Sequence, residues 1–386
     1  AVLKGVKSGK SNTMIRKTLV VIQFSISIFM LVGTGIIYNQ MDYVSKKDLG
    51  FDKDQVISFN LVDQNQRDQW RVLRTKLMSN PNIKNASSSS SKPGNGFGKN
   101  LMGVEMEDGS TEEKGINLYR IDYDYFPTLD IDIVEGRNIS SKFPTDTATA
   151  ILVNEAMVAR FNWSNPIGKR FNFTGDSVRV FKVIGVAKDF HQQSLYNPIQ
   201  AIMFMPNLNN SQILVKIDKN LKSSIEHIKT SWAETFPNTP FDYTFLDEQF
   251  QEQYNTDQLR GNLFLGFSIM TIIISCMGLL GLASFTAEQR TKEISVRKVL
   301  GASTGGLVSL MIKEFIYLVF IGAIPAFAGA WYFGTDWLSN FEFNSGISIT
   351  LFIGVLALTL VITILSTGYF ALMAAAANPA DNLKHE

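Results

Sequence analysis

The chain has 386 residues, 45% of them hydrophobic, one cysteine and a formal net charge of +1 at pH 7. This length exceeds one average domain, and the overall hydrophobic share and near-neutral charge are ordinary for a soluble protein. No nucleic-acid partner is expected. A single cysteine excludes a scaffold held together by intramolecular disulfides.

Four long apolar segments stand out along the chain, each close to the length that crosses a hydrocarbon core of about 30 Å. None of the four contains a charged residue. The first is interrupted by Gln23 and three hydroxyl residues, so a buried helix of a soluble protein is an alternative there. The sequence predicts transmembrane helices over residues 19–38, 263–285, 315–333 and 347–373.

Lysine and arginine near these spans predict the orientation of the chain. Residues 1–18 carry five basic side chains and no acid, and five more lie between the second and third spans. The turn between the third and fourth spans has Asp336 and Glu342 instead. We therefore expect the tails 1–18 and 374–386 in the cytoplasm and residues 39–260 outside it.

Residues 39–260 form a large segment with the patterns of both strands and helices, which indicates an α+β domain inserted between helices 1 and 2. Its two ends, 39–47 and 247–262, look helical and would continue the spans as a rigid stalk. The serine run Ser87–Ser91, followed by a Lys-Pro-Gly-Asn-Gly stretch, predicts a loop or a mobile insertion. Strands are predicted over 55–61, 116–121, 150–153, 178–187, 201–205 and 213–217, and helices over 68–78, 154–161 and 221–236.

Few residues suggest catalysis or metal binding. His191 follows Asp189 by two residues, but one histidine without partners does not make a zinc site, and a surface turn is the simpler interpretation. Asp122 and Asp124 are interpreted as solvated strand and turn positions. The segment Gly5–Ser11 resembles a phosphate-binding loop but lacks the required glycine spacing. The sequence predicts no catalytic, cofactor or metal site.

Small residues and one proline mark the spans as packing surfaces. Gly278, Gly281, Gly322 and Gly329 allow close approach of neighbouring helices. Pro325 lacks a backbone N–H, so the third span is predicted to bend near Ile321 to Pro325, either as a hinge or merely as a structural kink.

The segment 286–304 is charged although it lies between two spans. Glu288 precedes Lys292 by four residues, and Glu293 precedes Arg297 by four, which is the order that supports a helix. Gly301 is expected to end this helix. A helix that merely lies in the lipid interface is the alternative.

The same segment carries a family resemblance. TAEQRTKEISVRKVLGAS resembles the cytoplasmic loop of FtsX-like, MacB-type permeases of ABC transporters, in which an EIxxRKxLGA pattern recurs. Other stretches resemble that family's first span, extracytoplasmic core domain and tail; they are IRKTLVVIQFSISIFMLVGT, QMDYVSKKDLGFDKDQVI, EGRNIS, ILVNEAMVARF, NPIGKRF, VIGVAKDFHQQSL and NPADNLKHE.

The resemblance implies a non-catalytic permease subunit that transmits ATP-driven conformational change across the bacterial inner membrane to a periplasmic domain, for export or extraction of an envelope substrate. ATP and Mg would be bound by a separate ABC ATPase subunit, because this sequence has no Walker motif. The residues implied in the ATPase-coupling helix 286–304 are Glu288, Arg290, Glu293, Arg297, Lys298 and Gly301, with Pro325 as a hinge.

Further partners are implied by the same family. A second four-span permease unit is expected, either as a homodimer or as the preceding half of the same chain, which the missing initial methionine and the similarity of residues 1–5 to 378–384 favour. Membrane lipid is the remaining partner. A signalling receptor with an extracytoplasmic sensor is the alternative function, although no output domain follows the spans. A membrane-anchored enzyme is a third class without a credible catalytic cluster.

Overall fold

The computed structural model describes residues 8–173, 179–300 and 302–376. It divides into a helical unit, Ala1–Val44, Asn255–Asn340 and Asn344–Glu386, and an α+β unit, Ser45–Tyr254 and Phe341–Phe343. The helices are α1 (Ser8–Lys46), α2 (Gln64–Asp68), α3 (Trp70–Leu77), α4 (Tyr125–Leu129), α5 (Asp146–Thr149), α6 (Glu155–Phe161), α7 (Leu221–Thr235), α8 (Leu246–Glu252), α9 (Asn255–Val299), α10 (Thr304–Leu338) and α11 (Ile349–Ala376). The strands are β1 (Val56–Asn60), β2 (Ile83–Ser89), β3 (Gly98–Glu105), β4 (Thr111–Ile121), β5 (Ile133–Gly136), β6 (Ala150–Asn154), β7 (Arg170–Phe173), β8 (Val180–Ala187), β9 (Ile202–Pro206), β10 (Gln212–Ile217) and β11 (Thr244–Phe245).

Four helices of the described chain are long and apolar enough to cross a membrane, which confirms the predicted fold class. Their spanning parts are Met14–Lys46, Asn255–Gln289, Gly305–Leu338 and Ile349–Met373. All four helices extend beyond the predicted apolar segments at one or both ends.

The predicted coupling helix is not a separate element, which corrects the sequence-based boundary. Residues 286–299 continue the second span as the last part of the 45-residue helix α9. No glycine or proline occurs between Gly281 and Gly301, so nothing in the backbone interrupts the helix at the end of the apolar run. The charged segment is therefore a helical extension of a span.

The predicted helix over 247–262 is also corrected, because it is broken into α8 and α9. The break falls at Gln253 and Tyr254, between the two units. The Tyr254 hydroxyl accepts a hydrogen bond of 2.7 Å from the Leu195 backbone N–H, and the Tyr254 ring stacks on Tyr196 at 5.9 Å. These contacts fix Tyr254 within the α+β unit.

Helix α1 packs against the other helices of its unit through one apolar face. Val20, Phe24, Ile28, Val32 and Ile36 follow each other at four-residue spacing and are buried with residues of α9, α10 and α11. Gly322 of α10 allows a close approach, since a Cβ atom there would lie 3.0 Å from the Val21 carbonyl oxygen and 3.1 Å from the Phe24 Cβ. The packing prediction fails for Gly281, which has no atom within 4 Å of such a Cβ.

The α+β unit contains a sheet lobe and a barrel lobe. In the sheet lobe, the strand order is β11-β1-β10-β2, and α3 and α7 cover a core that includes Phe59, Trp70, Leu73 and Trp232. In the barrel lobe, β4, β3, β7, β8, β6 and β9 pair in that order, and β9 pairs back to β4 in parallel. The barrel lobe encloses its own apolar core.

The serine run predicted as a loop is mostly a buried strand, which corrects the sequence-based assignment. Ser87, Ser88 and Ser89 belong to β2 and are fully buried between β10 and β4. Serine is not among the residue types enriched in strands, so local propensity does not predict this strand. Tertiary partners overrule it, as Ser88 shows by donating through both its N–H and its hydroxyl to Asp122.

Candidate functional site

The residues singled out as a coupling element lie at the C-terminal end of α9. Glu288 and Arg297 are exposed there. The last turn ends with hydrogen bonds from the Leu300 N–H to the Val296 carbonyl, 3.0 Å, and from the Ala302 N–H to the Arg297 carbonyl, 2.9 Å. Ser303 caps the next helix by accepting from the Gly306 N–H.

Four of the predicted coupling residues are only partly described or not described. Arg290, Glu293 and Lys298 belong to α9 by their backbone, and their side chains lie outside the described part of the chain. Gly301 also lies outside the described residues. The geometry of this end is therefore given by Glu288, Val296, Arg297 and Leu300.

Two exposed apolar side chains accompany the charged ones at this end of α9. Leu300 is 80% exposed and Val296 is 49% exposed. Their spacing of four residues places them on one helix face, next to Arg297. An exposed apolar pair beside a guanidinium suits a protein groove. The sequence could have indicated this pair, because Val296 and Leu300 are apolar residues that lie beyond the end of the apolar run.

The same end of the helical unit is tied together by packing and charge. Ala287 of α9 is buried with Leu307 and Met311 of α10 and with Ala371 of α11. Glu314 of α10 forms an ion pair with Lys17 of α1. The position of α9 is therefore set by its neighbours up to Ala287, and the remaining helix projects the exposed residues beyond that contact.

Pro325, the predicted hinge, lies inside α10, which continues through it as one helix. Three residues before it, the Gly322 carbonyl accepts a hydrogen bond of 2.9 Å from the Ser25 hydroxyl of α1. Pro325 leaves the Ile321 carbonyl without its usual helical donor. The hinge function itself stays a prediction.

Asp122 is buried, which corrects its interpretation as a solvated residue. One of its carboxylate oxygens accepts from the Ser88 N–H at 2.6 Å and from the Ser88 hydroxyl at 3.1 Å. Burial raises the pKa of Asp122 to about 7, against the lowering effect of these hydrogen bonds. Asp124 forms an ion pair of 2.7 Å with Arg74. These contacts join neighbouring strands and helices of the α+β unit.

His191 is also buried, so the interpretation as a surface turn is wrong. Its N–H donates to the Leu49 carbonyl at 2.8 Å, and its ring packs edge-on against Phe343 at 4.7 Å. Burial, and then the charge of Lys47, lowers the pKa of His191 to about 4. Among the described residues, no group of three or more His, Cys, Asp or Glu could hold a metal ion.

Asp189 is engaged in a structural role rather than paired with His191. Its carboxylate accepts from the Asn154 side chain at 2.8 Å and from the Ala156 N–H at 2.9 Å, at the start of α6. These bonds hold the first turn of that helix. Asp189, which suggested catalysis or metal binding together with His191, therefore connects the end of β8 to the start of α6.

Comparison with known proteins identifies both parts of the chain. Residues 19–228 match the MacB-like periplasmic core domain, and residues 265–379 match the FtsX-like permease C-terminal domain. The ABC transporter permease YvrN of Bacillus subtilis is 24% identical over 70% of this chain and 70% of its own length. The macrolide export ATP-binding/permease protein MacB of Mannheimia succiniciproducens is 24% identical over 54% of this chain.

The match to MacB covers 34% of that protein, so this chain spans about a third of the MacB relatives. The crystal structure of the periplasmic region of MacB from Actinobacillus actinomycetemcomitans covers 55% of this chain and 98% of its own, with 17% identity and a TM-score of 0.38. The four apolar helices and the periplasmic core domain describe a multi-pass membrane protein. The chain belongs to the family of ABC transporter permeases that combine a MacB-like periplasmic core domain with an FtsX-like C-terminal domain.

Proposed function

We propose that this chain transmits ATP-driven conformational change across the membrane, and that α9 carries the movement. The supporting observation is the unbroken length of α9, Asn255–Val299, which at 1.5 Å per residue corresponds to about 67 Å, roughly twice a hydrocarbon core of about 30 Å. A continuous helix moves as a rigid rod, whereas a loop between the span and the coupling segment would absorb a displacement.

The C-terminal end of α9 is the proposed contact with a separate ABC ATPase. Val296, Arg297 and Leu300 present an apolar pair and a cation, which suit a groove with an acidic edge. Glu288, Arg290, Glu293, Lys298 and Gly301 complete this coupling element in the proposal. ATP and Mg are held by the partner, and this chain holds no cofactor.

The proposed topology places both termini and the end of α9 in the cytoplasm of a bacterial cell, with the α+β unit in the periplasm. It rests on the distribution of Lys and Arg around the spans. A second four-span unit, supplied by a homodimer or by the same longer chain, completes the transporter. Export or extraction of an envelope substrate is the proposed outcome, and Pro325 is the proposed hinge.

The test is affinity purification of the tagged full-length protein from gently solubilised membranes, followed by mass spectrometry and ATPase assays. We expect an ATPase with Walker motifs to co-purify in stoichiometric amount. Arg297→Glu and Leu300→Asp should abolish its stimulation by this chain, because each removes part of the exposed contact. Membrane insertion should be unchanged.

The matched control is Lys313→Glu, which makes the same charge change at an exposed position of α10. This variant should keep normal stimulation. Normal stimulation in Arg297→Glu and Leu300→Asp would show that the end of α9 is not the contact. Recovery of a kinase or adaptor without an ATPase would replace the transporter function by the signalling receptor.

A further inference from the structure

The helical unit contains an apolar cavity of about 340 Å³ at the end where α1 approaches the beginning of α9. Helices α1, α9 and α10 line it, and α1 and α9 run antiparallel there, since Ile37 lies next to Gly261 and Thr34 contacts Ser268. The residues lining this groove are Phe29, Gly33, Ile36, Ile37, Arg260, Phe264, Ala330, Phe333, Gly334, Asp336 and Trp337.

The groove is apolar along its length and charged at one end. Phe29 and Gly33 lie deeper along α1 than Ile37, and the helical rise from Phe29 to Ile37 is about 12 Å. Arg260, Asp336 and Trp337 line the end nearest Ile37. Charged residues together with a tryptophan are typical of the level at which a span meets the lipid headgroups. The groove therefore runs from headgroup level into the hydrocarbon region.

The charges at this end favour a ligand with both signs of charge. One guanidinium nitrogen of Arg260 donates to Asp257 at 3.0 Å, and Asp257 is buried. A guanidinium carries five N–H donors in total, so Arg260 can donate to a phosphate as well. Asp336 is exposed and offers a carboxylate to a cation. One cation and two carboxylates disfavour a purely anionic headgroup.

We propose that this groove binds phosphatidylethanolamine from the bilayer. One acyl chain fills the apolar groove, the phosphate accepts hydrogen bonds from Arg260, and the ammonium group pairs with Asp336. Gly33 provides space for the chain, because a side chain at this position would enter the groove beside Phe264. This inference needs only the membrane position of the helices and is independent of the coupling proposal.

The lipid is identified by what stays bound to the purified full-length protein. The protein is incubated in detergent with equal amounts of phosphatidylethanolamine and phosphatidylglycerol, desalted, and analysed by native mass spectrometry. We expect the phosphatidylethanolamine adduct to dominate. Arg260→Gln should lower its retention about tenfold, the loss expected for a charge-assisted hydrogen bond. Asp336→Asn should shift the retained lipid towards phosphatidylglycerol.

A steric variant tests the groove itself. Gly33→Leu should abolish retention, because its side chain enters the groove beside Phe264, which lies 3.4 Å from a Cβ at this position. The matched control is Gly266→Leu on α9, where a Cβ meets no atom within 4 Å. If Gly33→Leu does not fold, lipid retention by Arg260→Gln still tests the proposal, because a substitution at the exposed position 260 should not prevent folding.

Fluorescence locates the lipid independently of retention. Phosphatidylethanolamine with a brominated acyl chain should quench Trp337, and Trp337→Phe should remove most of that quenching. Trp331→Phe is the control, because Trp331 packs on Phe352 of α11, outside the lining of the groove.

Three results would overturn the proposal. Equal retention of both lipids that no variant changes would show nonspecific lipid binding. Recovery of an acylated protein in place of the phospholipid would assign the groove to another ligand. Disulfide crosslinking of two copies through Gly33→Cys, with no retained lipid, would assign the groove to a second copy of this chain.

Discussion

Helix α11 of the helical unit and the α+β unit satisfy their buried polar groups in different ways. In the helical unit, the hydroxyls of Thr359, Thr363 and Thr367 each donate to the carbonyl four residues earlier in α11. In the α+β unit, Gln212 donates to Ser58, 154 positions away, and Asn210 donates to the Ser88 carbonyl, 122 positions away. The hydrogen bonds of these α11 hydroxyls are local, whereas those of Gln212 and Asn210 are long-range.

This difference bears on what each unit tolerates. A helix whose hydroxyls bond to its own backbone loses no partner when it shifts against its neighbours. A buried group with partners on other elements leaves those partners unsatisfied when it is removed. We therefore expect polar substitutions to be costly at such positions of the α+β unit and mild at the hydroxyls of α11.

Asn154 should give the largest effect. Its carbonyl oxygen accepts from the N–H groups of Met157 and Ile202, and its amide donates to Asp189 and the Gln200 carbonyl, each at 2.8–3.2 Å. Asn154→Ala should lower the free energy of unfolding by about 4 kcal/mol, because several buried partners lose their bonds. Hydrogen exchange of the full-length protein measures it.

The matched control in the helical unit is Thr359→Val, which removes one local hydrogen bond of 2.8 Å. Its cost should be no more than about 0.6 kcal/mol, the average for side-chain hydrogen bonds between helices in a membrane, because this bond joins no second helix. Similar costs for both variants would remove the distinction between the two units.

Asp122 should make the α+β unit less stable as the pH rises. Its carboxyl group has a pKa of about 7 in the folded chain and about 3.9 when unfolded. Between pH 4 and pH 7 the carboxyl group is ionised in the unfolded chain but still protonated in the folded chain. The contribution of Asp122 to the free energy of unfolding therefore falls by about 3 kcal/mol over this range. Asp122→Asn should abolish that fall, as measured by thermal unfolding across this pH range.

Gly322→Leu tests how far the helical unit depends on close packing between α10 and α1, where the Ser25 hydroxyl also donates to the Gly322 carbonyl. A side chain at position 322 would clash with the Val21 carbonyl oxygen and with Phe24. The clash is relieved only if the backbone of α1 moves. We expect a loss of about 2 kcal/mol from overpacking, seen as a lower melting temperature in detergent. Gly354→Leu on α11 is the control, since no atom lies within 4 Å of its Cβ position.

His191 should give a smaller pH dependence of the opposite sign. Its pKa is about 4 in the folded chain, below its unfolded value near 6.5, so its contribution to stability is complete above pH 6.5 and is lost as the pH falls towards 4. The nearby Lys47 opposes protonation and Asp48 favours it. The chain with His191→Gln should therefore lose less stability on acidification from pH 6.5 to pH 4 than the unsubstituted chain. An unchanged acid limb of the unfolding curve would contradict this.

The sequence by itself determined the four spans, their order and the inserted α+β domain, because hydrophobic length and period are local properties of the chain. It also determined the start of α6 at Asn154 and the strands at 150–153 and 213–217, where branched apolar residues coincide with burial. The family resemblance of residues 286–303 was readable for the same reason, since it rests on contiguous residues.

Only the tertiary structure decided the burial of Ser87–Ser89, Asp122 and His191, the closure of the barrel lobe, and the continuity of α9 past Phe285. The partners that bury these polar residues are distant in sequence, as Asp122 is from Ser88. No local sequence pattern therefore predicts the burial. The groove beside Arg260 is likewise formed by three helices from distant parts of the chain, and its charged end exists only once they pack.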